Sequence, residues 1–162
     1  MNKGGNMSID SRLVTWSSTY SVGIKIIDEQ HKKLLDLVND MFNHVVGNEA
    51  AERAYFKKII RQAVEYIKVH FSTEEKILIA TKFPGYAEHK KSHDTFILAV
   101  VDNIRAFDSG KKMNLCYFTH FLKDWVLTHI AIMDKEYFDF LKKNALRKKD
   151  AKPNNNVEEI AC

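Results

Sequence analysis

At 162 residues, of which 45% are hydrophobic and 28% charged, the chain is long enough for one domain with a buried core and too short for two comfortable ones. A net charge of +4 is a mild basic excess that implies no nucleic-acid groove, and the longest apolar run, residues 96–101, falls far below the roughly 20 residues that span a bilayer. The start lacks the apolar core of a secretory signal, so a cytoplasmic location is expected; Cys116 and Cys162 have no CxxC spacing and read as free thiols, and a monomer is the separate expectation for the oligomeric state.

Residues 1–15 read as a flexible N-terminus, and the Ser, Thr and β-branched residues of "VTWSSTYSVGIKI" predict an extended arm laid over the helices. From about residue 28 to 46, Ile27, Leu34, Leu35, Val38, Met41, Phe42 and Val45 recur at three- and four-residue spacing, predicting an amphipathic helix stopped by Gly47. A second helix begins after Asn48, a good N-cap, and carries Phe56, Ile59, Ile60, Ala63, Ile67 and Ile77 on one stripe to about Thr81. Pro84 marks the first turn of a third, with Phe96, Ile97, Val100, Val101, Ile104 and Phe107, closed by Gly110. The fourth spans about 114 to 143, with Leu115, Phe118, Leu122, Trp125, Val126, Ile132 and Tyr137. Four helices with short connections predict an all-α fold, an antiparallel up-down four-helix bundle over residues 16–143. Residues 144–162, polar and basic without apolar period, are expected to form a disordered tail.

The histidines break the apolar pattern in a regular way. Residues four apart on a helix lie within about 40° of each other, and His70 with Glu74, and His89 with His93, are such pairs on the apolar stripes of their helices. His31 lies one turn from Ile27, Leu34 and Leu35, and His129 one turn from Trp125, Val126 and Ile132, so imidazoles point inward from all four helices. One such histidine is ordinarily a satisfied core residue. Five imidazoles and a carboxylate buried without partners would cost about 1 to 3 kcal/mol each, in sum comparable to the whole stability of a domain. A metal is the economical compensation. His44, about 140° round from His31, and His120, about half a revolution from His129, fall off the stripe; His44 reads as a residue near a helix C-terminus, where a partial positive charge is favourable, and His120 as a surface residue.

Ligand type then narrows the metal. Structural zinc wants four ligands, usually with thiolates, and magnesium or calcium wants mostly oxygen. Five imidazoles with carboxylates exceed the needs of one ion and suit two borderline ions, for which iron is the best single choice. The Glu-x-x-His pairs of carboxylate-rich di-iron bundles are absent, so this centre is histidine-rich and suited to gentle oxygen chemistry.

The stretches "YSVGIKIIDEQHKKLLDLVN", "HFSTEE", "YAEHKKSH" and "FLKDWVLTHIAIMDKEYFDFL", in this order, resemble the hemerythrin family and in particular its bacterial single-domain members, over most of residues 16–141. The resemblance implies two iron ions joined by an oxo or hydroxo bridge. His89, His93 and His129 would hold one, His31 and His70 the other, and Glu74 and Asp134 would bridge them, leaving an open position where dioxygen binds reversibly. Spacing alone does not select Asp134: it lies five residues after His129, about 140° away on an ideal helix, so a local widening or bend is expected within "HIAIMD". Trp125, Val126 and Tyr137 are expected either to line the pocket or simply to pack the core, and Val126 stands where family members commonly carry Leu or Ile, which makes the lid looser.

The expected function is therefore dioxygen storage, delivery or scavenging rather than enzymatic turnover. No Ser-His-Asp set or phosphate loop is present in the sequence. The rivals are a redox or oxygen sensor and a small peroxide or nitric oxide reductase on the same scaffold. Dioxygen is the expected partner, a redox protein an optional second one, with no nucleic acid and no membrane.

Overall fold

The computed structural model describes residues 12–111 and 114–150, without the side chains of 148–150. The remaining parts of both termini, including Cys162, lie outside the described residues. Four helical rods run in sequence: α1 (Lys25–Asn43), α2 (Glu49–Ala80), α3 (Tyr86–Asp108), and a last rod in which α4 (Leu115–His129) passes through a π-helical turn, Ile130–Asp134, into α5 (Lys135–Asp150). The fold is an antiparallel four-helix bundle in which α1 packs on α2 and α4, and α2 on α3. No helix among the described residues is long and apolar enough to cross a membrane.

Caps account for the helix starts. The Asn48 and Asn114 side chains accept from the amides of Ala51 and Tyr117 at 3.0 and 2.9 Å, each satisfying one of the amides that a helix start leaves unpaired. α1 starts three residues earlier than its apolar period suggests, because Asp28 acts backwards. Its carboxylate accepts from Val22 N–H at 2.8 Å and Ser21 Oγ at 2.6 Å, tying the incoming chain to the first turn. Pro84 lies just before α3 rather than within its first turn, with Gly85 as the N-cap. Gly23 has φ +73°, and a Cβ there would come within 2.7 Å of the Phe138 ring, so both the backbone and the close approach of α5 require glycine.

The stripes mostly match the apolar period, with three corrections. Leu78 rather than Ile77 is buried at the end of α2, and Ile97 and Ile132 are 37% and 61% exposed. Ile97 lies at the edge of the stripe whose centre runs through Phe96 and Val100. Ile132 is turned outward by the π turn, which buries Ile130 in its place. The basic segment expected to be unstructured beyond residue 143 is helical to Asp150, consistent with the good helix formers of "NALRKK".

Two apolar bodies result. The larger joins Leu34, Leu35, Val38, Met41, Phe56, Phe96, Phe107 and Phe118, with Phe56 against Phe107 and edge-on to Phe118. The smaller packs Leu78, Phe83 and Tyr137 with Ile24 and Phe140 at the other end of the bundle. Between them lies a polar layer.

Beyond Asp28, the arm is held on the bundle by the buried Asn39 side chain. Asn39 Oδ1 accepts from Val14 N–H at 3.0 Å and Asn39 Nδ2 donates to Val14 O at 2.8 Å, so Asn39 pairs with the arm as a neighbouring strand would. Asn39→Ala is expected to cost about 1 to 3 kcal/mol, since it orphans a buried amide and a buried carbonyl. Hydrogen exchange should show faster exchange of the Val14 amide, together with a lower unfolding midpoint.

Candidate metal centre

The polar layer is built from one or two side chains of every rod. α1 supplies His31, α2 His70 and Glu74, α3 His89 and His93, and the last rod His129 and Asp134; all seven are buried, His31, Glu74, His93 and Asp134 completely. On α2 and α3 the four-residue spacing stacks two groups on one face. On the last rod the π turn does the equivalent work: widening the turn by one residue brings position i+5 under position i, and His129 Nε2 lies 3.1 Å from Asp134 Oδ1. The widening expected within "HIAIMD" is present. His44 and His120 stand apart from this layer, His44 stacked on Tyr55 and His120 edge-on to Phe42.

The seven side chains fall into two groups, Glu74 with His89, His93 and His129, and His31 with His70 and Asp134. Within each group one ligand-type atom from every member lies within 4.8 Å of the others. In the first, Glu74 Oε2 is 3.2 Å from His89 Nε2 and 3.3 Å from His93 Nε2, and His129 Nε2 is 3.0 and 3.2 Å from the Nε2 atoms of His93 and His89. In the second, His31 Nε2 is 3.1 Å from Asp134 Oδ2. The carboxylates link the groups, because Asp134 Oδ1 also reaches His89 and Glu74 Oε2 lies 3.9 Å from His70 Nε2.

Three of the five rings have their outer nitrogen engaged. His70 Nδ1 faces Gln30 Oε1 at 3.3 Å, His93 Nδ1 faces Glu75 Oε1 at 3.0 Å, and His129 Nδ1 faces Ser92 Oγ at 3.3 Å. A partner outside each of these rings can accept a hydrogen bond from Nδ1, which would leave Nε2 free to donate to a metal when one is bound. The Nε2 atoms of His93 and His89 crowd to 3.0 and 3.2 Å from that of His129, a convergence of ligand-type nitrogens that a cation among them would satisfy. Both oxygens of Asp134, both nitrogens of His31 and Glu74 Oε1 are buried without a hydrogen-bond partner, the pattern of a donor set shaped for metal. Imidazoles with two bridging-type carboxylates fit a pair of borderline ions, iron included.

Burial and neighbouring charge tune these groups in opposite directions. Burial lowers His70 to a pKa of about 4, against the partial support of Glu74, so it is neutral at neutral pH. Burial alone would raise Glu74, but the hydrogen bonds of His89 and His93 outweigh it and hold the carboxyl well below its usual range. His89 is raised: burial opposes this and is overcome by the bond to Glu74 and the charges of Glu74, Asp134 and Glu75. Tyr137, fully buried, has its phenol pushed far above its ordinary value by burial and then by Glu74 and Asp134.

Gln30, Glu75 and Ser92 were not legible as site residues in the sequence. Each directly precedes or follows a ligand-type residue, about 100° away on the helix, and only packing shows that it reaches the ring of another rod. Of the expected pocket residues, Val126 and Tyr137 are buried, and Trp125 is half-buried with its ring stacked on that of His129 at 4.4 Å and 15°.

Adding a divalent transition ion to metal-free protein should raise its unfolding midpoint, since a ligand at 100 times its Kd stabilises by about 2.7 kcal/mol per site. The gain should shrink as pH falls, because protons compete for the imidazoles and His89 binds its proton at a higher pH than an ordinary histidine. Calorimetric scans with and without the ion across pH check both.

Comparison with known proteins agrees with this geometry. The family model of the Hemerythrin HHE cation binding domain matches residues 22–141. The bacteriohemerythrin of Clostridium acetobutylicum is 32% identical over 130 residues, covering 78% of this chain and 100% of that one. The myohemerythrin of Sipunculus nudus is 29% identical over 122 residues, 75% and 88% of the two chains. A crystal structure of wild-type hemerythrin superposes with a TM-score of 0.69 at 28% identity, covering 78% of this chain and 96% of that one. With a family match over residues 22–141 and a histidine-rich buried centre among them, the chain belongs to the hemerythrin family.

Proposed function

We propose that this chain binds dioxygen reversibly for storage, delivery or scavenging. In this reading His89, His93 and His129 would hold one iron ion, His31 and His70 would hold a second, and Glu74 and Asp134 would serve both. The observation that carries it is the convergence of the two buried groups on a shared pair of carboxylates, with ring nitrogens and unpartnered carboxylate oxygens facing each other. When bound, the iron pair supplies the electrons that dioxygen takes up and gives back.

The protein's part is to hold charge and protons in place. Glu74, kept ionised by His89 and His93, offsets the cationic charge in a layer closed by apolar bodies on both sides. With metal bound, Gln30, Glu75 and Ser92 would hold the rings of His70, His93 and His129 in the tautomer that donates its lone pair from Nε2. Tyr137 keeps its proton at Oη beside the carboxylates. Trp125 covers the His129 ring, and Val126, 5% exposed, packs one turn away. With only two carboxylates against five imidazoles, the layer carries little negative charge to stabilise strongly oxidised metal, which favours carriage over oxygenation chemistry.

Reduced protein exposed to dioxygen under otherwise anaerobic conditions, then swept with inert gas, should give an absorption spectrum that appears and reverts, with two irons per chain. Irreversible oxidation without an adduct counts against carriage, and catalytic loss of added peroxide or nitric oxide would favour a reductase. Val126→Leu should lengthen the lifetime of the oxygenated form several-fold, read as the rate of spectral decay, because the larger side chain closes the lid against water.

A further inference from the structure

The rings of the centre are backed unequally. His70 and His129 present Nδ1 to neutral acceptors, the Gln30 amide and the Ser92 hydroxyl, both at 3.3 Å. Among the five inward histidines only His93 presents Nδ1 to a carboxylate, Glu75 Oε1, and the distance is shorter, 3.0 Å. Glu75 follows Glu74 on α2, so one carboxylate enters the centre while its neighbour, about 100° round, reaches over the outer edge of a ring from α3. The ring cannot turn away from it. Phe71 lies flat against His93 at 3.7 Å and 4°, which fixes the plane in which Nδ1–H points at Glu75. Glu75 is 19% exposed, and its one basic neighbour among the described residues, Lys90, is 3.9 Å from the same oxygen while pairing closely with Asp94. The Glu75 charge is therefore only partly offset on its solvent side and acts on the imidazole.

We propose that Glu75 is a positioning residue that sets the redox balance of the ion held by His89, His93 and His129. A carboxylate drawing on Nδ1–H raises the electron density of the ring and strengthens donation from Nε2, which favours ferric over ferrous iron at that end of the pair. The His31 and His70 end, backed by a neutral amide, lacks this bias. The two irons are thereby made unequal by residues outside their ligand set. The inference rests on the di-iron reading above.

The test separates charge from geometry in the full iron-loaded chain. Glu75→Gln keeps an acceptor oxygen for His93 and removes the charge, whereas Glu75→Leu removes both. Glu75→Gln should still load two irons, and its midpoint potential in a redox titration should rise. A tenfold to hundredfold loss of ferric preference corresponds to a rise of about 60 to 120 mV at 59 mV per tenfold for one electron. Glu75→Leu should show the same rise and, in addition, roughly 10- to 100-fold weaker retention of cobalt(II) against a chelator. Lys90→Met, at a side chain 37% exposed, leaves the Glu75 charge less offset and should lower the potential. It decides the matter should Glu75→Gln fail to fold or load: a lowered potential supports the role, an unchanged one overturns it. An unchanged potential in loaded Glu75→Gln overturns the role of Glu75 and leaves the di-iron reading standing. A wild-type chain that does not take up two irons overturns both.

Discussion

The structure depends on the burial of seven ionisable groups in one layer across the middle of the bundle. Five imidazoles and two carboxylates, removed from water and facing each other at 3.0 to 3.9 Å, cannot satisfy one another with the protons available. Left so, they would carry a penalty comparable to the whole stability of a domain. Two cations among them turn the same arrangement from a penalty into a clamp, since ions that bind the folded state alone add their binding free energy to folding. The bundle is then held at its centre by coordination and at both ends by hydrocarbon.

That constraint explains the one irregularity in the described helices. A regular last rod would place His129 inward and Asp134 toward solvent. The π turn at Ile130–Asp134 returns Asp134 to the layer, where it is fully buried and reaches His31, His89 and His129. The exposed Ile132 is the visible cost, an apolar side chain turned outward so that a carboxylate can turn in. The arm and the small apolar body at the far end serve the same layer by closing it: Asp28 and Asn39 tie the arm down, and Gly23 lets α5 approach the start of α1.

Much of this was legible in the sequence, for a physical reason. The 3.6-residue period that places apolar residues on a stripe also places histidines on it, so His31, His70, Glu74, His89, His93 and His129 stand out from spacing alone, as does the cap Asn48 from its position before the apolar period. Asp134 was reached only through resemblance, because a π turn breaks the period on which spacing arguments rest. Gln30, Glu75 and Ser92 gave no signal, because each acts on a ring of another rod and the relative rotation of packed helices is not written in any one of them. Asn39 was hidden for the same reason, its partner Val14 lying 25 residues away.

The most direct measurement is anomalous diffraction at the iron edge from crystals of the purified holoprotein. Two peaks are predicted, one among His89, His93 and His129 and one beside His31 and His70, with Glu74 and Asp134 reaching both. A single peak, or none within this layer, would contradict the account that paired ions hold the centre together.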